Sequence, residues 1–551
     1  MNQTRTPTAS AQSEPVDGEG LDWVEFVADS KFVAAEDRAP VRFRELVAIV
    51  LLVALFDLVV YRGNGYAGLA LGFVVSPLLL WAGAPRRGLV GPGLVVFGLM
   101  VVLSVRMVWL GTAAQVVAGL VLVAAFAMTL SGRVSYVLDT LLLGWQTSFA
   151  GAIRLREYAG MQRPSVGLGS RGGWLKVLMP LAVVLVFGAV FVQANPDLAR
   201  SVREGLEVVW ERLNEAFGEL LPSAPQLLLW CVTVWLTIGL LRPVRLPRAL
   251  GWLGPIVDGR VERDATVETG ADSLVPALRN TLLAVIVLFA AYLVFEFQSL
   301  WFREFPKGFY YAGYAHEGAA WLTAALVLAT LLLSAVFRGR VLADPAIAKL
   351  KRLAWFWSSL NVLLAIAVYH RLSIYVEFNG MTRMRFVGLV GVTTVLAGFL
   401  LVVWKIAKSR GFLWLIERQL WALALGLYVL AVFPMDAVIH RYNVSRILAG
   451  DPAPVVQITE HDVDDSGLAV LGPLLDCDDP EIRRGIAAML TERLSDSESM
   501  RANTDWTTYQ VSRRALQSRL EELRPRLMLD AGRDEWRSAL GRFRSYAFQW
   551  Y

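Results

Sequence analysis

At 551 residues the chain has room for several soluble domains, but 56% apolar and 18% charged residues exclude a water-soluble protein, since ordinary globular domains carry roughly a quarter charged residues. A formal net charge of +5 is too small to point to nucleic acid, and 19 tryptophans among apolar runs suit helix ends lying in lipid headgroups. The expected fold class is all-α: a polytopic transmembrane helix bundle with a C-terminal soluble helical domain, in which the lipid bilayer is the first partner.

Residues 1–44 read as a polar cytoplasmic segment. Met1–Gly20 is rich in Ser, Thr, Pro and acids, is expected to be disordered, and has no apolar core of a signal peptide. Leu21–Ala35 has helical apolar spacing and is expected on the inner membrane surface. Residues 45–434 hold about eleven runs able to cross a hydrocarbon core about 30 Å thick. They are Leu46–Tyr61, Gly65–Ala84, Leu89–Val105, Gly111–Leu130, Trp174–Gln193 and Pro225–Leu241. After these come Leu278–Phe297, Gly318–Val336, Ala354–Val376, Phe386–Ile406 and Phe412–Phe433. Val134–Ile153 contains Asp139 and Gln146 and is read as an interfacial amphipathic helix; if it spanned, the tail would change sides.

Every second loop is basic. Arg42 and Arg44 precede the first run, Arg133 to Arg171 follow the fourth, and Arg242 to Arg263 follow the sixth. The same holds for Arg338 to Arg352 and for Lys405, Lys408 and Arg410. The excess of cations on cytoplasmic loops then predicts a cytoplasmic N-terminus and an extracytoplasmic C-terminus. The loop Pro196–Leu221 reads as an amphipathic helix outside the membrane. Gly68 and Gly72 have the spacing for close helix approach within the chain. Asp57 and Arg106 either pair with each other or mark span ends.

Residues 435–551 change to the composition of a soluble helical domain, expected outside the cell membrane. Asp479-Pro480 is a helix start, because Asp caps free amides and Pro is tolerated in a first turn. Asp505 and Asp534 look like further starts. The two cysteines, Cys231 and Cys477, fall in different layers and imply no disulfide.

Four segments resemble the bacterial membrane-protein family catalogued as domain of unknown function 4173. They are Tyr311-Ala-Gly-Tyr-Ala-His-Glu-Gly318, then Tyr369-His-Arg-Leu-Ser-Ile-Tyr375 with Asn379-Gly-Met-Thr-Arg-Met-Arg385, then Met435-Asp-Ala-Val-Ile-His-Arg-Tyr-Asn443, and Trp506–Arg513. The resemblance extends from about Trp174 to Tyr551, departs at Gly313 and at His316-Glu317, and implies an architecture but no activity.

Charges within a membrane are costly and usually paired or functional. Here they gather at the tail-side ends of spans seven to eleven, among them Glu296, His440 and the candidate site residues Glu317, His370, Arg371, Tyr375, Glu377, Arg383, Arg385, Asp436 and Arg441. One reading is a polar pocket in which Arg371 and Arg385 bind an anion or lipid headgroup and Glu317 or Glu377 exchanges protons. The other is a brace of ion pairs that fixes span order and docks the tail. With four histidines a His-built metal site is not expected, and neither is a cofactor. Gly167-Leu-Gly-Ser-Arg-Gly172 matches G-x-G-x-x-G but follows no strand, so it reads as a loop. Three classes remain open: an assembly or sensor protein with an extracytoplasmic protein partner, which is favoured, an envelope- or lipid-modifying enzyme, and a transporter.

Overall fold

In hydrocarbon a backbone must satisfy its own N–H and C=O groups, so apolar runs of this length become helices. The protein is described by a computed structural model over residues 41–85, 91–132, 135–159, 222–242, 275–301, 311–337, 347–408, 410–499, 505–528 and 532–550, with scattered residues between 200 and 208. The segments Leu21–Ala35, Gly167–Gly172, Trp174–Gln193 and most of Pro196–Leu221 lie outside the described residues, as does the side chain of Glu317.

The bundle begins with α1 (Phe43–Phe56, continued by a π turn at Asp57–Tyr61), α2 (Tyr66–Gly83), α3 (Gly91–Trp109) and α4 (Ala113–Leu130). It continues with α5 (Val137–Ala159), α6 (Ala224–Leu241), α7 (Val275–Glu296, continued by a π turn at Phe297–Trp301) and α8 (Tyr311–Val336). The last three are α9 (Ile347–Asn379), α10 (Arg383–Lys408) and α11 (Phe412–Val432). Among the described residues, eight helices are long and apolar enough to cross a membrane: α2, α3, α4, α6, α7, α9, α10 and α11. α1 and the apolar stretch Gly318–Ser334 of α8 run beside them.

α5 is long, at 23 residues, but too polar to be one of the eight. At its start the Ser135 hydroxyl donates to the Ala125 carbonyl at 2.9 Å, and near its end the Tyr158 hydroxyl donates to Glu45 at 2.8 Å. Both anchors belong to the half of the bundle remote from the tail.

Two apolar cores hold the helices. Leu52, Phe73, Met100, Phe126 and Ile238 join α1–α4 with α6, and Leu282, Leu326, Trp357, Phe399 and Val402 join α7–α10. α11 ties the second group to the first through main-chain acceptors. Arg106 donates to the Val432 carbonyl at 3.1 Å, Gln115 to Ala431 at 3.0 Å, and the Tyr428 hydroxyl to Leu99 at 2.7 Å. Asp57 and Arg106 therefore do not pair: Asp57 accepts from Arg62, Gln226 and Trp230.

The tail consists of α12 (Met435–Leu448), α13 (Pro480–Ser499), α14 (Val511–Leu523) and α15 (Arg533–Ala547), with single helical turns between. Its own core gathers Val444, Val455, Leu471, Ile486, Leu520 and Phe543. Asp479 caps α13, accepting from the amides of Glu481 at 2.9 Å and Ile482 at 3.3 Å. The other two starts differ from expectation. Asp505 opens only a 3-10 turn, Trp506–Thr508. Gly532 caps α15, which leaves Asp534 in the first turn, where its charge suits the positive end of the helix. Cys231 and Cys477 are both free thiols.

That 3-10 turn fastens the tail to the first helices. Thr507 is fully buried, and its hydroxyl accepts from the Asn64 amide at 3.0 Å. Gly63, Gly65 and Gly68 form the slot it enters; a Cβ at Gly63 or Gly68 would stand 2.8 or 2.9 Å from the Thr507 methyl. Gln510 adds a bond from the Gly111 amide at 3.3 Å.

Candidate functional site

α9 is 33 residues long, about 50 Å at 1.5 Å per residue, and so exceeds a hydrocarbon core of about 30 Å. It ends at Gly380, whose φ of +95° is open to glycine and strained for other residues. This sharp break turns the chain into α10. α12 of the tail locks it: the Asn443 amide group accepts from Met381 N at 2.8 Å and donates to Met381 O at 2.9 Å. Arg446 caps the last turn of α9, donating to the carbonyls of Val376 at 2.7 Å and Glu377 at 2.6 Å.

Beneath this break lies a cavity of about 850 Å³. Its polar end is formed by Tyr375, Asn379, Arg383 and Arg385 from the bundle, and by Asp436, His440, Gln457 and His461 from the tail. Its walls descend as small and apolar groups, Ala319 and Ala320 of α8 facing Gly388, Gly391, Val392 and Val395 of α10. The site is thus amphipathic along its depth.

Four charged side chains line it, Arg383, Arg385, Asp436 and the exposed Asp462, with His440 between them. Arg383 and Asp436 form a two-point ion pair, with Arg383 Nε 2.5 Å from Asp436 Oδ1 and a second bond from Nη2 to Oδ2. The Asp464 amide also donates to Asp436, at 2.9 Å. Burial pushes the Asp436 carboxyl upward, but the bonds from Arg383 and Asp464 outweigh it and hold the group below the ordinary carboxylate range. Burial lowers the His440 imidazole below its usual value, against the pull of Asp436 and Asp464, so it is neutral near pH 7. Arg385 is 5% exposed. It donates to the Gly380 carbonyl and the Asn379 side chain, and its guanidinium lies 3.6 Å over the Tyr375 ring. Its Nε has no hydrogen-bond partner, nor does His440 Nδ1.

The family described as Domain of unknown function (DUF4153) matches residues 88–471. The chain belongs to that family. It carries a different number from the family of the sequence resemblance, 4173; what the two have in common is that no function is assigned. All residues lining the cavity fall within the DUF4153 match, which stops inside the tail. No curated protein and no solved structure matches the chain.

Of the residues singled out in the sequence, Tyr375, Arg383, Arg385, Asp436 and His440 line this DUF4153 cavity. Arg371 does not. It is buried against Glu296, with Nε–Oε1 at 2.5 Å and Nη2–Oε2 at 2.6 Å, and Tyr292 donates to the same carboxylate at 2.9 Å. A side chain at Gly318 would collide with Arg371, so α8 must present a bare backbone there. The pocket reading put Arg371 and Arg385 on one anion; here Arg371 is paired with Glu296 instead, as the brace reading has it. His370, Glu377 and Arg441 lie outside the cavity lining, and the Glu377 and Arg441 residues are exposed. Asn379, Gln457 and His461 were not picked out. Gln457 sits in a single helical turn, Val456–Thr459, and His461 just after it, too short a stretch for periodicity to mark a face.

Proposed function

We propose that the protein is a multi-pass membrane assembly or sensor protein that holds its helical tail as a fixed extracytoplasmic platform for a protein partner. The observation that carries this reading is the double attachment of the tail. Thr507 seats in the glycine slot of α1 and α2, while Asp436, Asn443 and Arg446 grip the break between α9 and α10. A tail tied to both helical groups cannot swing as a tethered domain would. The orientation is supported by Arg44, Arg242, Lys349, Lys405 and Lys408, which all lie at the end remote from the tail. A transporter fits less well, because the deeper lining, Leu372, Val392 and Val395, is apolar and offers no polar path. The lipid-handling alternative draws on the cavity itself.

Topology is tested with single cysteines in a Cys231→Ser, Cys477→Ala background. Ser538→Cys, exposed on α15, should label with an impermeant maleimide in intact cells, and Lys349→Cys only after lysis. The assembly role is tested with a photo-crosslinking residue at exposed Arg514 or Arg533. One discrete adduct, lost when Thr507→Arg unseats the tail, is expected. Reversed labelling would overturn the orientation, and a tail that gives no adduct from any exposed face would sink the assembly role.

A further inference from the structure

The buried arginines of this bundle are not alike. Arg242 is matched by Glu45 and Arg371 by Glu296, each as a two-point pair. Arg385 is as buried as these, yet among the described residues it meets only a carbonyl, an amide oxygen and an aromatic ring. A cation held from water without a counter-charge is costly, and a site of this kind is completed by an anion. The donor left over, Arg385 Nε, belongs to a residue that lines the cavity, as does His440, whose Nδ1 is also unpartnered.

The rest of the cavity says what carries the anion. From Arg385 to Val395 α10 descends about 15 Å into the bundle at 1.5 Å per residue. Along that stretch Gly391 has nothing within 4 Å of where a Cβ would stand, and Gly388 meets only Leu372 at 3.8 Å. The missing side chains leave an open, apolar groove along this face of α10. Beside it on α10, Met384, which lines the cavity, is 72% exposed and Val387 is 43% exposed. Apolar walls of this kind suit the acyl chain of a bilayer lipid better than a water-borne anion.

We infer that the cavity binds an anionic phospholipid, its phosphodiester headgroup at Arg385 and His440 and one acyl chain in the slot along Gly388 and Gly391. A tetrahedral oxyanion suits donors that come from separate elements, here α10 and α12. The inference is independent of the platform reading above: a lipid-filled cavity would serve an enzyme or a scaffold equally.

The test uses the full-length protein in neutral detergent with three probes: phosphatidylglycerol, phosphatidylcholine and glycerol 3-phosphate. Phosphatidylglycerol should raise the melting temperature and stay bound in native mass spectra, while the other two do neither. Arg385→Gln should weaken phosphatidylglycerol binding roughly tenfold or more, as expected for losing a hydrogen bond to a charged group. Gly391→Leu fills the slot without touching a cation and should also remove the response. Arg371→Met serves as control: it lowers melting but keeps the response. Equal stabilisation by phosphatidylcholine, or an intact response in Arg385→Gln, overturns the headgroup assignment. A response unchanged in Gly391→Leu overturns the chain slot, and one reproduced by glycerol 3-phosphate overturns the lipid. If Arg385→Gln does not fold, Gly391→Leu decides.

Discussion

Arg371 and Arg385 stand close in sequence and looked equivalent there, two cations near the end of a span. What separates them is a partner that the sequence does not disclose: Glu296 lies 75 residues before Arg371. No local spacing rule reaches that far, so the pair was legible only as an excess of charge at one end of the bundle. Because both partners are buried, removing one strands the other. Arg371→Ala should cost about 3–5 kcal/mol of stability, read as a lower detergent melting temperature. Replacing both, as Arg371→Met with Glu296→Met, should recover much of the loss, since an apolar pair leaves no stranded charge. Melting unchanged in Arg371→Ala would show that water reaches the pair and that it is no brace.

Helices of the bundle were legible because a bilayer demands about 20 apolar residues and the chain supplies them in blocks. Helix contacts were partly so. The Gly68–Gly72 spacing anticipated close approach, and a Cβ at Gly72 would lie 3.4 Å from Val59 of α1. Gly68 has another use, since it receives Thr507 of the tail. No pattern announces a contact between a helix start and a turn more than 400 residues later. The slot is a steric device and should fail sterically. At Gly65 a Cβ would strike the backbone of Thr507 and Thr508, which cannot turn aside as a side chain would. Gly65→Ala should therefore cost about 1–3 kcal/mol at this contact. Hydrogen exchange should quicken across residues 505–510 and leave α13 and α15 as they were. Gly98→Ala, where a Cβ has open space, is the control. Unaltered exchange at 505–510 in Gly65→Ala would remove the turn from the docking scheme.

For the whole molecule, the question is where the membrane part stops and the tail begins. Composition shifts after Pro434, yet α12 belongs physically to both sides. Through Asp436, Asn443 and Arg446 it grips the bundle, and through Val444 and Ile447 it enters the tail core beside Val455 and Leu471. A tail cut after α12 would bare the surfaces that Val444 and Ile447 cover. Burying an aliphatic side chain is worth about 1.5–3 kcal/mol, and a domain of this size has only about 5–15 kcal/mol in total. Two such losses take a large share. A fragment of Met435–Tyr551 should thus unfold in one cooperative thermal transition by circular dichroism. Asp451–Tyr551 should be helical but melt far lower or without a clear transition. Matching transitions in the two fragments would mean that α12 contributes nothing to the tail, and that it is better counted as the last piece of the membrane domain.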